Sequence, residues 1–417
     1  MLLTSVLHII LTRSFSPFVF KSGFENCLDF EALDGLGLYV HIPFCKSLCS
    51  FCPYCKEIYD KDRADSYKTA LLKEIDLVCR NMSNQKEVTS LYFGGGTPAL
   101  MIDDLAEIID RLKRYFIISG EIGVELHPQN ITEEIIDKLL SAGVTMVSIG
   151  VQSFDEQSLL KLGRTSNSLT DRLLKIKNKG FQVVDVDLIF AIPGQTEDIL
   201  ISDIKTAFEN GATQVSTYPF VDFTFAKNKY KPLPEKEKKK MLETLARYCH
   251  DYNLDRTSVW TFAKHNTGKY SSITRDAFLG FGVSSTTLLK DKFKINTHSI
   301  EAYIERVNKE FLPTSLTLDF SLGQRMAYFL FWSSYAMKIN KEKFAESFGR
   351  QIKTMFGLEF KIAERLGYIR ENCESYELTG KGATLFHSIE QAYTRAYIDK
   401  MWNISKQQAF PEQIILK

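Results

Sequence analysis

The sequence predicts an α/β protein, with a partial (β/α)6 barrel similar to a TIM barrel and a C-terminal helical, winged-helix-like domain. Two observations support this fold class. From residue 37 to about 218, short β-prone segments alternate with segments of helical periodicity. From about residue 312 the alternation stops, and helical patterns lead into a short β-ribbon. Alternating strands and helices indicate βαβ units, whose chemistry belongs at the carboxyl ends of the strands.

Apolar alternation and apolar runs mark six expected strands of the barrel. They cover residues 37–42, 90–93, 122–126, 144–151, 182–192 and 214–218. Helical spacing marks the segments between them, and Asp65 is expected to cap the first helix. The expected helices cover residues 64–83, 102–116, 132–142 and 197–209, with two shorter helical pieces before residue 182.

Four domains follow from these changes of pattern: an N-terminal extension over 1–36, a core over 37–225, a core extension over 226–311 and the C-terminal domain over 312–417. The Lys-, Pro- and Glu-rich stretch 229–240 favours a solvated linker that opens the next helix over a basic patch. The Gly-punctuated stretch 276–285 is expected to return the backbone close to a ligand.

The C-terminal domain is expected to contain helices at 322–338, 341–348 and 351–366, followed by β-prone segments near 367–370 and 376–378. Winged-helix domains often bind DNA through a basic helix. No such basic helix is apparent in the pattern, so a substrate lid or a packing role is favoured.

Composition argues against nucleic acid and the membrane as partners. The net charge is +1, which gives no electrostatic basis for binding a polyanion. The apolar run over residues 2–11 is far shorter than the roughly 20 residues of a membrane span, and it lacks the basic start of a signal peptide. We therefore expect a packing extension and a cytoplasmic protein.

Four of the eight cysteines lie within eleven residues, and three of them, Cys45, Cys49 and Cys52, have the spacing C-x3-C-x2-C. This distribution suits a metal site in a reducing compartment better than a disulfide framework. Thiolates hold zinc and iron–sulfur clusters. A zinc site wants four ligands, whereas a cubane cluster held by three thiolates leaves one iron free for a small molecule. Cys55 is open to three interpretations: a fourth ligand, a reactive thiol or a loop cysteine.

Polar or glycine-rich motifs follow most of the expected strands. Gly94, Gly95, Gly96, Thr97 and Pro98 offer bare backbone that a ligand can approach closely. Further candidate ligand contacts are Glu125 at a strand end, Gln152 and Arg164 as polar groups suited to ribose and carboxylate, and Asp187 within an apolar strand. An arginine suits a carboxylate, and an acid among apolar neighbours needs a partner or a role. His127 is a candidate proton donor, although a histidine satisfied by local hydrogen bonds is favoured.

Together these motifs resemble the oxygen-independent coproporphyrinogen III oxidase branch of the radical S-adenosylmethionine (SAM) superfamily. The branch also contains the heme chaperone, anaerobic heme-degrading methyltransferases and class C methyltransferases. The resemblance covers about residues 37–285 and, more weakly, the C-terminal domain. It rests on Tyr39-Val-His-Ile-Pro-Phe-Cys45, the triple glycine, Gly150-Val-Gln-Ser-Phe154, Leu162-Gly-Arg-Thr165 and Asp187-Leu-Ile-Phe-Ala-Ile-Pro-Gly-Gln-Thr196.

The resemblance implies a radical SAM barrel with a 4Fe-4S cluster on Cys45, Cys49 and Cys52 and one or two SAM molecules. Tyr39, Gly96 and Glu125 match positions that contact the cluster-bound SAM, and Gly95 adjoins them in the triple glycine. The positions that match contacts of the second SAM, or of both, are Phe51, Thr97, Gln152, Arg164 and Asp187.

The implied activity is reductive cleavage of SAM to start radical chemistry on a tetrapyrrole or another unsaturated small molecule. A flavodoxin or ferredoxin would donate the electron. One departure matters: the porphyrinogen decarboxylase of the branch carries its fourth cysteine two residues after the third, whereas here Pro53 and Tyr54 separate Cys52 from Cys55. The continuation resembles that of methyltransferases and cyclopropane-forming enzymes. A heme chaperone, a porphyrinogen decarboxylase and a zinc-loop interaction protein remain alternatives.

Overall fold

A computed structural model describes residues 7, 9–12, 14, 16–23, 28–165, 168–226, 228–268 and 277–416. Cys27, most of the apolar run over residues 2–11 and the first residue of the stretch 276–285 lie outside them. Residues 9–12 are helical, and Thr12 is buried against Gly323. Among the described residues, none of the helices combines the length and the apolar character that crossing a membrane requires.

Nineteen strands form in the described part of the chain. They are β1 (Phe18–Lys21), β2 (Leu36–Ile42), β3 (Phe44–Cys45), β4 (Glu57–Ile58), β5 (Lys86–Gly95), β6 (Phe116–Leu126), β7 (Met146–Gln152), β8 (Val183–Phe190), β9 (Gln214–Pro219), β10 (Asp255–Arg256), β11 (Thr261–Ala263), β12 (Ala277–Phe281), β13 (Thr286–Leu288), β14 (Lys292–Asn296), β15 (Thr314–Asp319), β16 (Lys338–Asn340), β17 (Ile369–Glu371), β18 (Ser375–Leu378) and β19 (Gln413–Leu416).

The α-helices of the described residues alternate with the strands in the first half of the chain and dominate the last hundred residues. They are α1 (Lys61–Cys79), α2 (Ile102–Lys113), α3 (Glu133–Ser141), α4 (Glu156–Lys161), α5 (Leu169–Ile176), α6 (Glu197–Glu209), α7 (Glu235–Asp251), α8 (Ile300–Asn308), α9 (Leu322–Tyr335), α10 (Lys341–Phe348), α11 (Ile352–Arg365), α12 (Gly380–Tyr393) and α13 (Asp399–Gln407). A π-helical turn, Thr394–Ile398, joins the last two.

The predicted (β/α)6 core is confirmed. Strands β2, β5, β6, β7, β8 and β9 lie side by side in chain order, and every neighbouring pair is parallel. Strands β11 and β10 extend this sheet beyond β9. At the other edge, β12 pairs in parallel with β2, and β13, β14, β15, β1 and β19 continue the same fourteen-stranded sheet. The carboxyl ends of the six parallel strands therefore share one edge.

Local sequence explains where the first helix begins, and here one prediction was wrong. The N-cap of α1 is Asp60, whose carboxylate accepts a hydrogen bond from the Arg63 amide at 3.0 Å, and not Asp65. Because α1 begins at Lys61, Asp65 already lies inside the helix, where it pairs with Lys61 one turn earlier. Extended backbone before the first helical residue, rather than the apolar spacing within the helix, decides which side chain can cap.

The stretch 229–240 also departs from its prediction at one residue. Helix α7 begins in this stretch as predicted, but Lys238 is 1% exposed rather than solvated. Its Nζ donates to the Phe220 carbonyl at 2.9 Å and to Gln391 Oε1 at 3.2 Å. The lysine therefore ties α7 to the end of β9 and to α12.

The C-terminal part has the predicted winged-helix-like arrangement. Helices α9, α10 and α11 pack around a small apolar core that includes Phe329, Phe344 and Phe356. A separate antiparallel sheet in the order β16–β18–β17 completes the unit. The division of the whole chain into four domains remains a prediction.

Candidate functional site

One cavity of about 720 Å³ lies against the carboxyl ends of the barrel strands. Each of the twelve residues predicted from the sequence lines it, although they come from six separate segments of the chain. They are Tyr39, Cys45, Cys49, Phe51, Cys52, Gly95, Gly96, Thr97, Glu125, Gln152, Arg164 and Asp187. The structure therefore brings the predicted set together, and the role of each residue remains a prediction.

Hydrogen bonds hold the cysteine loop over the barrel. The Gly96 amide donates to the Ile42 carbonyl and the Thr97 amide to the Phe44 carbonyl, both at 2.7 Å. Thr97 Oγ1 lies 3.8 Å from Cys45 Sγ. Burial, as the main cause, raises the pKa of the Cys45 thiol to about 11. The three cysteines are all partly exposed, and they open into the cavity.

The triple glycine packs closely against the backbone and side chains around the cysteine loop, a role that the sequence alone did not suggest. A Cβ on Gly96 would lie 2.6 Å from the Phe44 carbonyl oxygen. Gly95 has φ of 113°, and a Cβ there would lie 2.5 Å from the His41 ring. Its amide donates to Glu125 Oε2 at 3.0 Å. Because these amides already have acceptors within the protein, a ligand would meet the carbonyls and the open surface of this turn rather than its N–H groups.

Glu125 is held in place by two donors at the end of β6. Besides the Gly95 amide, the Tyr92 hydroxyl donates to Glu125 Oε1 at 2.9 Å. Burial and, second, the charge of Asp187 raise the pKa of Glu125 to about 7. The Glu125 carboxyl group is therefore near the midpoint of its titration at neutral pH. A cation nearby would favour its charged form.

Arg164 links the cysteine loop to strand β7. Its Nε lies 3.3 Å from Cys49 Sγ, and its Nη1 donates to the Gly150 carbonyl. The guanidinium stands over the Phe51 ring, with 5.4 Å from its central carbon to the ring centroid. A positive group on this thiol stabilises a thiolate.

Asp187 and Gln152 lie on neighbouring strands, Asp187 within β8 and Gln152 at the end of β7. Asp187 Oδ2 accepts a hydrogen bond from Ser148 Oγ at 2.8 Å, and burial raises the pKa of Asp187 to about 6. Gln152 adopts a left-handed φ of 76° at the end of β7. That conformation accompanies an irregularity in the β7–β8 register after Gly150, which turns the side chain toward the cavity wall.

Two side chains of the same cavity wall, His41 and Tyr92, were not singled out from the sequence. The Tyr39 hydroxyl lies 3.0 Å from His41 Nδ1, and His41 Nε2 lies 2.9 Å from the Cys55 carbonyl. Burial lowers the pKa of His41 to about 4. Tyr92 stacks on Tyr39 with centroids 6.1 Å apart. His41 lies in β2 within the quoted motif that begins at Tyr39, and Tyr92 lies in β5 two residues before the triple glycine, which is the signal that could have identified them.

Two candidate residues of the sequence form hydrogen bonds within the protein. His127 Nδ1 accepts from the Gln129 amide at 3.2 Å, as in the favoured interpretation, and burial lowers its pKa to about 4. Cys55 is buried, and its Sγ donates to the His298 carbonyl at 3.2 Å. Burial raises the pKa of the Cys55 thiol to about 12. This arrangement matches the interpretation of Cys55 as a loop cysteine.

The same cavity continues from the cysteine loop into a space with aromatic walls. Tyr218, Trp260 and Tyr335 come from β9, the start of β11 and the end of α9, and Trp402 comes from α13. Trp402 packs against Tyr54, with ring centroids 5.8 Å apart. The Lys406 ammonium donates to the Pro53 carbonyl at 3.0 Å. The C-terminal helix therefore touches the residues that follow Cys52.

The donor set fits a cluster better than a single ion. Among the described residues, no group of three or more His, Cys, Asp or Glu side chains is placed to hold one metal ion. A cubane cluster binds each thiolate on a different iron, so its ligands stand farther apart than those of one ion. Cys45, Cys49 and Cys52 offer three thiols at one opening of the cavity, while the fourth cysteine of the loop bonds to a backbone carbonyl.

Residues 39–207 match the radical SAM superfamily. The heme chaperone HemW of Bacillus subtilis is 25% identical over 373 residues, which cover 85% of this chain and 98% of that protein. The oxygen-independent coproporphyrinogen III oxidase of Helicobacter pylori is 22% identical over 91% of this chain and 90% of its own length. The anaerobilin synthase of Escherichia coli O157:H7 is 35% identical over 190 residues, 43% of this chain and 42% of that enzyme.

A solved structure shares the fold. The coproporphyrinogen III oxidase HemN from Escherichia coli, described as a radical SAM enzyme, superposes with a TM-score of 0.71. It is 22% identical and covers 87% of this chain and 90% of its own. Residues 39–207 therefore form a radical SAM domain, and proteins of that superfamily use a 4Fe-4S cluster and SAM. Its relatives are coproporphyrinogen III oxidases of the HemN type and heme chaperones of the HemW type.

Proposed function

We propose that the chain is an enzyme that cleaves SAM reductively and uses the resulting radical, together with a second SAM, on an unsaturated small molecule of tetrapyrrole size. One observation carries the proposal. The thiols of Cys45, Cys49 and Cys52 and a space with aromatic walls are parts of a single cavity of about 720 Å³. Pockets of roughly 300–1,000 Å³ hold small-molecule ligands and cofactors.

In this proposal Cys45, Cys49 and Cys52 hold the cluster, which supplies the electron that cleaves SAM. Arg164 places a positive charge beside Cys49 Sγ. Glu125, fixed by Tyr92 and Gly95, would accept a hydrogen bond from the amino group of a cluster-bound SAM. Ser148 orients the Asp187 carboxylate, which suits the ribose hydroxyls of SAM.

The walls contribute by excluding water from reactive groups. The aromatic rings around Trp260 and Trp402 enclose the part of the cavity next to the cysteine loop. An enclosed, apolar space limits side reactions of a radical with solvent. An electron donor such as a flavodoxin or ferredoxin, and a cytoplasmic location in which the thiols stay reduced, complete the proposal.

The test is anaerobic reconstitution with iron and sulfide, reduction with dithionite and incubation with SAM. Mass spectrometry should then detect 5′-deoxyadenosine, and S-adenosylhomocysteine if a methyl group is transferred. A Cys49→Ser variant should lose both products. A Cys373→Ser variant removes an exposed thiol far from the cavity lining and serves as the matched control.

A heme chaperone is the second candidate. It is favoured by a relative of that name which aligns over 98% of its own length, and the aromatic cavity would also accommodate a flat macrocycle. Stoichiometric heme uptake, seen in the absorption spectrum, without 5′-deoxyadenosine formation would favour this function over the enzyme.

A further inference from the structure

Three acids of the described chain lie together in the aromatic part of the cavity. Asp185 and Asp187 are two residues apart on β8 and so face the same side of the sheet. Glu390 reaches the same cavity from α12. Burial is the main reason that the pKa of Tyr335 is raised, and the charges of Glu390, Asp185 and Asp187 add to it. All three acids are therefore close enough to raise the pKa of the same side chain, Tyr335.

Asp185 is the most deeply buried of the three, at 1% exposed. Its Oδ2 accepts a hydrogen bond from Ser216 Oγ at 2.8 Å, while Oδ1 is buried with no hydrogen bond. Burial and then the charge of Asp187 raise the pKa of Asp185 well above its usual range. A buried acid with an unused oxygen and a like-charged neighbour in a cavity marks a candidate ligand site.

Glu390 is also bonded by neutral groups. Its Oε1 accepts from Thr394 Oγ1 at 2.7 Å and its Oε2 from Gln391 Nε2 at 3.1 Å. The ammonium of nearby Lys238 donates instead to a carbonyl and to Gln391. Thr394 also opens the π-helical turn, and such turns frequently occur at functional sites.

The basic side chains of the described cavity lining lie in the part next to the cysteine loop. Among the described lining residues, the lysines and arginines are Lys46, Lys56 and Arg164, and none lies beyond residue 164. Lys56 donates to the Cys52 carbonyl, and Arg164 contacts Cys49. The described aromatic part therefore contains no cation that could pair with a carboxylate of a substrate.

Aromatic rings surround the acids. Trp260 meets Tyr335 edge to face with ring centroids 5.7 Å apart, and Tyr218 with centroids 6.2 Å apart. Aromatic faces attract cations, and most strongly where water is excluded. We call Asp185, Glu390, Tyr218, Trp260 and Tyr335 the acidic aromatic pocket; Asp187 belongs to the SAM contacts proposed above.

We propose that the acidic aromatic pocket binds a nitrogen-bearing part of the substrate, either cationic or rich in N–H donors, and rejects carboxylates. The proposal rests on the proposed function, because it specifies which substrates that function takes. A molecule with carboxylates on every side would place one of them against Asp185 or Glu390, where no positive group of the described lining offsets it. A substrate with one carboxylate-free, nitrogen-bearing edge would fit.

The test compares three probes with one indole ring: tryptamine, indole-3-propionamide and indole-3-propionate. The reconstituted protein is saturated with SAM without reductant, and affinities are measured by ligand-observed NMR. We expect tryptamine to bind at least tenfold more tightly than the propionate, with the amide between them. In Asp185→Asn and in Glu390→Gln the ratio should fall severalfold. Asp251→Asn, an exposed acid on α7, should leave it unchanged.

Equal or tighter binding of the propionate would overturn the proposal, as would a ratio that survives both pocket substitutions. If Asp185→Asn does not fold, Glu390→Gln decides the question alone. The same preparations are then reduced and assayed for 5′-deoxyadenosine. Selective probe binding without this product would overturn the proposed function and not the pocket, whereas product formation without selectivity would overturn the pocket alone.

Discussion

Arg164 Nε lies 3.3 Å from Cys49 Sγ, so a permanent positive charge contacts one of the three cysteines that converge on the cavity. The contact joins two motifs that are 115 residues apart in the chain. Hydrogen bonds to cluster sulfurs help to set the reduction potential of iron–sulfur centres.

Arg164→Gln should lower the reduction potential of the reconstituted cluster, because the reduced, more negative state loses a cationic donor. The shift is limited by the roughly 1.5–3 kcal/mol of a hydrogen bond to a charged group. Redox titration followed by electron paramagnetic resonance measures it. Lys161→Gln, which removes a nearby cation bonded to the Pro193 carbonyl, is the control. An unchanged potential in Arg164→Gln would contradict the assigned contact.

SAM affinity should rise with pH through the pKa of Glu125. Burial and Asp187 raise this pKa to about 7, so the group is mostly neutral at pH 6 and mostly charged at pH 8. The charged form attracts the cationic ligand, and affinity should therefore increase severalfold over this interval. Equilibrium binding of radiolabelled SAM measures the profile. Glu125→Gln should flatten it, and a profile that keeps its slope in this variant would assign the titration to another group.

Cys55→Ser should keep the full iron content after reconstitution, since Cys55 Sγ is buried and bonded to the His298 carbonyl. Cys49→Ser should lose most of the iron. Iron and sulfide analysis, together with the absorption near 400 nm typical of such clusters, distinguishes the two. Iron loss in Cys55→Ser equal to that in Cys49→Ser would make Cys55 a ligand.

Tyr303→Phe should destabilise the fold by about 0.5–3 kcal/mol, the contribution of a buried hydrogen bond to a neutral or charged group. Glu74 of α1 is buried and accepts from Tyr303 Oη at 2.6 Å, from the Gly282 amide at 2.7 Å and from Asn296 Nδ2 at 2.8 Å. This network fixes the turn after β12 beside the cavity. Urea unfolding measures the change, and Tyr252→Phe, an exposed tyrosine, should change little. Equal stability of both variants would mean that the network contributes nothing.

Coproporphyrinogen III should yield no vinyl product. Its carboxylate-bearing rim would meet the acids of the acidic aromatic pocket, and the spacing of Cys55 departs from that of the decarboxylase. Anaerobic incubation with reductant and SAM, followed by chromatography of the oxidised porphyrins, is the measurement. A vinyl-bearing product would make decarboxylation the function.

Sequence reasoning recovered what depends on local pattern. The spacing of the cysteines, the glycine turn and the alternation of β2 to β9 with helices each have a signature within a few residues. The capping residue Asp60 was missed because the cap depends on backbone conformation before the helix. Lys238 was missed because its burial depends on α12, some 150 residues later.

The acidic aromatic pocket could not be predicted from the sequence pattern either, because its residues come from distant segments of the chain. Asp185 falls within the expected strand 182–192 without a motif of its own, and Glu390 falls outside every expected helix. Only the fold places β8, α9 and α12 around the same space. Likewise, the contact of Tyr54 with Trp402 joins the residues after the cluster loop to the last helix, and no local motif predicts it.

The most direct test of the account is the formation of 5′-deoxyadenosine by the reconstituted, reduced protein in the presence of SAM. The account predicts that the product appears and that it depends on Cys45, Cys49 and Cys52 but not on Cys373. A protein that carries a full cluster, binds SAM and yet forms no 5′-deoxyadenosine with any offered substrate would contradict it.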